Sequence, residues 1–151
     1  MSSSVVSRWV VARKFEPGPA DLDARGVLRD DVLQHWIDEV RDAYLEQCVV
    51  LRATVDQSGL ETRHRSSMPP AGAAFGSPDT VVVSAGVTEV HPESFTMALR
   101  LRSIGQGEDD VAVNVSCVVS LEDPATGAAS EIDDAIRDEM ISLEHAARHY
   151  N

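Results

Sequence analysis

Cysteine is scarce in this chain, with Cys48 and Cys117 the only two among 151 residues. Both lie in apolar runs, so no disulfide framework is expected, and they read as buried free thiols of a reducing cytosol. Basic residues are also few. There are 13 Lys and Arg against 25 Asp and Glu, a net charge of −12. That balance excludes nucleic acid and an anionic membrane surface as large partners. It leaves room for a small anionic ligand in a local arginine pocket. No apolar run approaches the roughly 18 residues of a membrane span. The start lacks the basic-then-apolar pattern of a secretory signal, and a cytoplasmic protein is expected. There is no internal repeat.

The chain does have enough material for one core. A domain of this length buries roughly 68–70% of its unfolded surface, and 43% of its residues are hydrophobic. One domain over residues 1–151 is expected. The segment from Val5 to Lys14 reads as a strand, and Glu16 to Ala20, with Pro17, Gly18 and Pro19, as a loop. From about Arg29 to Gln47 the apolar residues Val32, Leu33, Trp36, Ile37, Val40, Ala43 and Tyr44 recur at one, three or four positions. This is the stripe of a long amphipathic helix. Asp30 and Asp31 fall in its first turn, where they complement the helix dipole.

Val49 to Val55 and Leu60 to Arg65 read as short strands. Ser66 to Asp79 reads as a long, flexible loop rich in Pro, Gly and Ala. Three longer strands follow, Thr80 to Val90, Glu93 to Ile104 and Val111 to Leu121. The last two alternate, with Phe95, Met97, Leu99 and Leu101, then Val113, Val115, Cys117 and Val119, each on one face. Period-two alternation predicts antiparallel strands covered on one side. Ser130 and Asp133 resemble a capping box for a final helix over about 130–149. The expected class is α+β, one long helix lying across a sheet.

The most informative segment runs from Asp23 to Tyr44. A carboxylate stands three residues before Gly26, and the glycine leads into the helix. That arrangement can aim Asp23 at a helix N-terminus, where free N–H groups around Leu28 to Asp31 can hold a developing negative charge. The pairing suits acyl chemistry, with Asp23 as nucleophile or general base. The alternative is an Asp that caps the turn before Gly26.

Asp-x-x-Gly, two apolar residues, then Trp36-Ile37-Asp38 and Arg41 resemble the hotdog-fold thioesterases, in particular the 4-hydroxybenzoyl-CoA thioesterase-like branch. Pro78-Asp79 leading into Val81 to Val90, then Ser94-Phe95-Thr96, is similar to that family's long central strands. After the glycine, where many members carry His, Val and Asn, this chain has Val27, Leu28 and Arg29. The resemblance implies an antiparallel sheet wrapped around one long central helix, an acyl-CoA or acyl-carrier-protein substrate, and dimers or tetramers that share sites between subunits. Water is then the acceptor, and neither cofactor nor metal is needed. Alternatives are a non-catalytic acyl-CoA or acyl-lipid binding protein of the same fold, and a hydratase, whose usual catalytic His is replaced here by Val27.

Other candidates follow. Glu39 reads either as a carboxylate supplied by the central helix or as a solvated helix residue. Gly26, Arg29 and Asp30 are candidate substrate contacts at the turn and the helix start. Arg100 and Arg102 share a strand face, as do Arg63 and Arg65. Either pair reads as a clamp for coenzyme A phosphates or as solvent-facing arginine. Asp38 and Arg41 form an i,i+3 support pair. Phe75 reads as an acyl-pocket wall or a loop anchor. His35 with Glu39 and His145 with His149 have metal-compatible spacing, but no third ligand is close in sequence, so no metal is expected.

Overall fold

The structure is a computed structural model, and it describes residues 9–66, 72–104, 112–144 and 147–149. The expected strand start at Val5, part of the expected loop from Ser66 to Asp79, and Val111 lie outside the described residues. Strand β1 (Val11–Phe15) is followed by helix α1 (Asp30–Gln47), helix α2 (Val49–Ser58) and strand β2 (Glu61–Ser66). Three long strands come next: β3 (Thr80–Val90), β4 (Ser94–Ile104) and β5 (Ala112–Glu122). The short β6 (Ala129–Ser130), helix α3 (Asp134–Leu143) and the short β7 (Arg148–His149) complete the described chain.

The strands form one sheet in the order β1-β3-β4-β5-β2, antiparallel throughout this path. β6 pairs with β5, and β7 runs parallel to the end of β3. The alternation read from sequence decides which way each strand faces. Phe95, Met97, Leu99 and Leu101 of β4 are fully buried, as are Val81, Val83 and Ala85 of β3. Helix α1 lays its stripe on that face through Leu33, Trp36, Ile37, Val40 and Tyr44. Each such aliphatic side chain contributes roughly 1.5–3 kcal/mol of transfer free energy. Trp36 also stacks on Phe15 of β1, with ring centroids 4.8 Å apart.

Two expectations are corrected. Val49 to Val55 is not a strand but the start of α2. Its β-branched residues have low helix propensity, but tertiary context overrides propensity. Leu51 turns into the core, and Glu139 of α3 accepts from Val50 N at 2.9 Å and Leu51 N at 3.2 Å, satisfying free donors of the helix start. The final helix is also shorter than 130–149, spanning Asp134–Leu143. Its cap is Asp133, whose side chain accepts from Ile136 N at 2.9 Å, while Ser130 lies in β6. Glu144, just past α3, accepts from the buried Tyr44 hydroxyl at 3.3 Å, so two carboxylates tie the C-terminal segment to the rest.

Both cysteines are buried free thiols. Burial pushes the Cys48 thiol up to about 12 and also raises that of Cys117. Both are therefore unreactive protonated thiols at neutral pH.

Candidate active site

The segment ahead of α1 folds back on itself as a tight turn. Leu22 and Leu28 form a β-bridge, and Arg29 N donates to Asp21 O at 3.0 Å. Inside that bridge, Asp23 N donates to Val27 O at 2.7 Å and Gly26 N to Asp23 O at 2.9 Å. Gly26 has φ +78°, a left-handed conformation that side chains disfavour and glycine adopts freely.

Asp23 sits at the mouth of this turn. Its Oδ1 accepts from Arg25 N at 2.8 Å and from Val27 N at 3.0 Å. Its Oδ2 lies 4.0 Å from the Arg25 guanidinium, and the side chain is 37% exposed. The Val27 and Arg25 N–H groups hold its carboxyl below the ordinary 3.8, because they bind the charged form. The carboxylate is therefore ionised at neutral pH, with one oxygen fixed by the turn.

Helix α1 starts four residues after Gly26, with Arg29 as N-cap and no side-chain cap bond. Leu28 N is taken by Gly76 O at 2.9 Å and Arg29 N by Asp21 O. Of the expected donors from Leu28 to Asp31, only Asp30 and Asp31 belong to the first helical turn, whose N–H groups have no helical acceptor. Their side chains are engaged elsewhere. Asp31 pairs with Arg29 Nη2, and Asp30 Oδ1 accepts from Gly72 N at 2.6 Å. Arg29 also donates to Ala20 O at 3.0 Å, so its guanidinium serves the turn.

The remaining candidates lie deeper in α1, on the sheet or in the loop before β3. Glu39 lies nine residues into the helix, about 13–14 Å along its axis from Asp30. It pairs with Arg13 of β1 at 3.0 Å, and both side chains are nearly half exposed. The two line an acidic groove of about 410 Å³ with His35, Asp38 and Asp42. Arg100 is in register with Ser84 and Asn114, and Arg102 with Val82 and Ala112. Their parity is opposite to that of buried Leu99 and Leu101, so they occupy the sheet face away from α1. Arg63 pairs with Glu122 at 3.2 Å, and Arg65 is exposed. Phe75 is 7% exposed and belongs to the core cluster, an anchor for its loop.

Among the described residues, no group of three or more His, Cys, Asp or Glu is placed to hold a metal. His145 lies outside the described residues, and His149 is exposed in β7.

Three features go further than the sequence reading did. Arg41 is 5% exposed, clamped between Asp38 at 2.8 Å and Asp42 at 3.1 Å. His64 of β2 titrates low because of burial first and the Arg41 charge second. Lys14 stands in register with Val82, two strands from Arg102 on the same outer face. The i,i+3 spacing of Asp38 and Arg41 is a local signal, but the burial of Arg41, its charge beside His64 and the place of Lys14 depend on which segments lie side by side.

No family model matches the sequence, and no curated protein matches it. Solved structures do match in shape. The 4-hydroxybenzoyl-CoA thioesterase from Pseudomonas sp. strain CBS-3 superposes with a TM-score of 0.64 at 17% identity, covering 85% of this chain and 97% of that one. This chain has the hotdog fold. A thioesterase-superfamily structure from Jannaschia sp. CCS1 gives a TM-score of 0.66 at 17% identity, covering 94% and 87% of the two chains. A thioesterase from Thermus thermophilus, complexed with coenzyme A and Zn, gives 0.63 at 19% identity, covering 91% and 96%. The hotdog architecture explains the layout above: β3, β4 and β5 wrap α1, and the Asp23 turn sits at the helix N-terminal end.

Proposed function

We propose that this hotdog protein is an acyl-CoA thioesterase with Asp23 as its essential carboxylate. The observation that carries this reading is an exposed, ionised carboxylate on a rigid turn immediately before the N-terminus of the central helix. The shape likeness to thioesterases, one of them bound to coenzyme A, supports the same class. In this reading Asp23 attacks the thioester carbonyl carbon, the carbonyl oxygen gains the charge, and first-turn N–H groups of α1 stabilise it. The C–S bond then breaks, the thiolate leaves and takes a proton, and water hydrolyses the acyl-aspartate. A carboxyl held below its ordinary range is a weak proton acceptor, which favours direct attack over activation of water.

Arg100 and Arg102 on the outer sheet face, with Lys14 two strands away on the same face, are the proposed contacts for the anionic phosphates of the substrate. They form a local basic patch on an acidic protein. Neither metal nor cofactor takes part. We also propose a homodimer or homotetramer of one-domain chains in the cytoplasm. Its support is that, among the described residues, β1 and β2 are the edge strands of the sheet, and open edges invite pairing.

The test is a panel of acyl-CoA and acyl-carrier-protein esters of varied length and aromaticity, read by thiol release. Turnover on at least one ester is expected. A second reading, a non-catalytic acyl-CoA or acyl-lipid binding protein, is favoured by the use of Asp23 Oδ1 as a turn acceptor, a role a non-catalytic Asp also fills. Binding of an ester without thiol release selects that reading.

A further inference from the structure

The turn that carries Asp23 is not held by its own bonds alone. The segment Gly72–Ser77 runs across it and is fastened at both ends. Ser77 Oγ donates to Gly26 O, Leu28 N donates to Gly76 O at 2.9 Å, and Gly72 N donates to Asp30 Oδ1 at 2.6 Å. Phe75 pins the middle of the segment in the core. Gly72 lies so close to the turn that a Cβ there would collide with Leu28 O.

Two of these bonds share peptide groups with the bonds to Asp23. The peptide between Gly26 and Val27 gives its carbonyl to Ser77 and its N–H to Asp23 Oδ1. The next peptide, between Val27 and Leu28, gives its carbonyl to Asp23 N and its N–H to Gly76 O. A peptide group is planar, so fixing its oxygen fixes the direction of its N–H. Each plane therefore transmits the position of the strap to Asp23, one to the carboxylate and one to the backbone.

We propose that Gly72–Ser77 is a positioning strap for the Asp23 carboxylate, with Ser77 and Asp30 as its positioning residues. The proposal rests on the reading of Asp23 given above. It assigns Asp30 to the strap rather than to substrate. Aim matters to a nucleophile because misplacement by an ångström is expected to cost kcat more than binding.

The test uses Ser77→Ala, Ser77→Thr, Asp30→Ala and Asp30→Asn. Ser77→Ala should lower kcat at least tenfold while KM changes less than about twofold, and Ser77→Thr, which keeps the hydroxyl, should recover most of it. Asp30→Asn, which keeps the acceptor for Gly72 N, should likewise outperform Asp30→Ala. Amide hydrogen exchange supplies a readout independent of turnover: Val27 N–H should exchange faster in Ser77→Ala than in the parent or Ser77→Thr. A Ser77→Ala protein with parental kcat, a loss confined to KM, or unchanged Val27 protection overturns the strap. A parent protein that releases no thiol from any ester overturns the acyl-transfer reading instead, and the positioning role with it. Val27 exchange then reports only a fold contact.

Discussion

Asp23→Asn separates chemistry from architecture at a single atom. Asparagine retains an acceptor oxygen for Arg25 N and Val27 N, and Asn and Asp favour turns alike. The fold should survive, while kcat falls by about two to four decades as the carboxylate is lost. Thiol release with near-parental kcat would reduce Asp23 to a turn cap. The pH dependence follows from the same two N–H groups. They depress the folded-state value below the unfolded 3.8, so the ionised turn is favoured above that value and the benefit is lost only as pH falls through the lower folded value. The kcat/KM profile at neutral and mildly acidic pH should therefore show no acid limb from Asp23. A limb in that window would assign the essential group elsewhere. Glu39→Gln is the paired control. Breaking its exposed pair with Arg13 should cost no more than about 1 kcal/mol of stability. A full loss of kcat there, beside an active Asp23→Asn protein, would move the chemistry to the helix.

Helix α1 is legible as an element because its burial pattern is strictly periodic. Leu33, Ile37, Val40 and Tyr44 sit at spacings of three and four and are all fully buried. Truncating one tests the packing directly: Ile37→Ala should cost about 2–5 kcal/mol in denaturant unfolding. Helix α2 is not legible, because its residues Val49, Val50 and Val55 favour strands locally. The contacts that cap its start come from Glu139, far away in sequence. Glu139→Ala should destabilise the protein by roughly 0.5–2 kcal/mol, the range for losing a helix cap. An unchanged unfolding midpoint would show that α2 stands without α3. The same distance effect hides the strap, since nothing in Gly72 or Ser77 announces a partner at Asp30 or Gly26.

Among the described residues, acidic groups gather on α1 and basic groups on the outer face of the sheet. The outward side of α1 carries Asp31, Asp38, Glu39, Asp42 and Glu46, while the outer face of the sheet carries Lys14, Arg65, Arg100 and Arg102 beside the Arg63–Glu122 pair and Glu61. A net charge of −12 does not reveal this separation. The double change of Arg100 and Arg102 to Ala should raise KM for an acyl-CoA more than about tenfold with kcat little altered, and added salt should weaken binding to the parent. An unchanged KM would place the nucleotide elsewhere. The edge strands β1 and β2 carry the expectation of self-association. Light scattering at micromolar concentration should give a mass at least twice the 16.3 kDa chain, and a monomer across that range would remove the shared-site model.

The sequence by itself determined the strands of the wrap, the long helix, the faces they bury and the turn at Gly26. All of these depend on periodicity or on one residue's backbone freedom, both of which are local. It also singled out Asp23, because a carboxylate, a glycine and a helix start fall close together along the chain. Only the tertiary structure decided that α2 is a helix, that Glu39 pairs with Arg13 of β1, and that Arg100 and Arg102 lie on the far face of the sheet from α1. It alone brought Ser77 onto Gly26, 51 positions apart. Those outcomes are set by which segments meet across the sheet, and pairing between distant segments leaves no repeat in the chain for a reader to find.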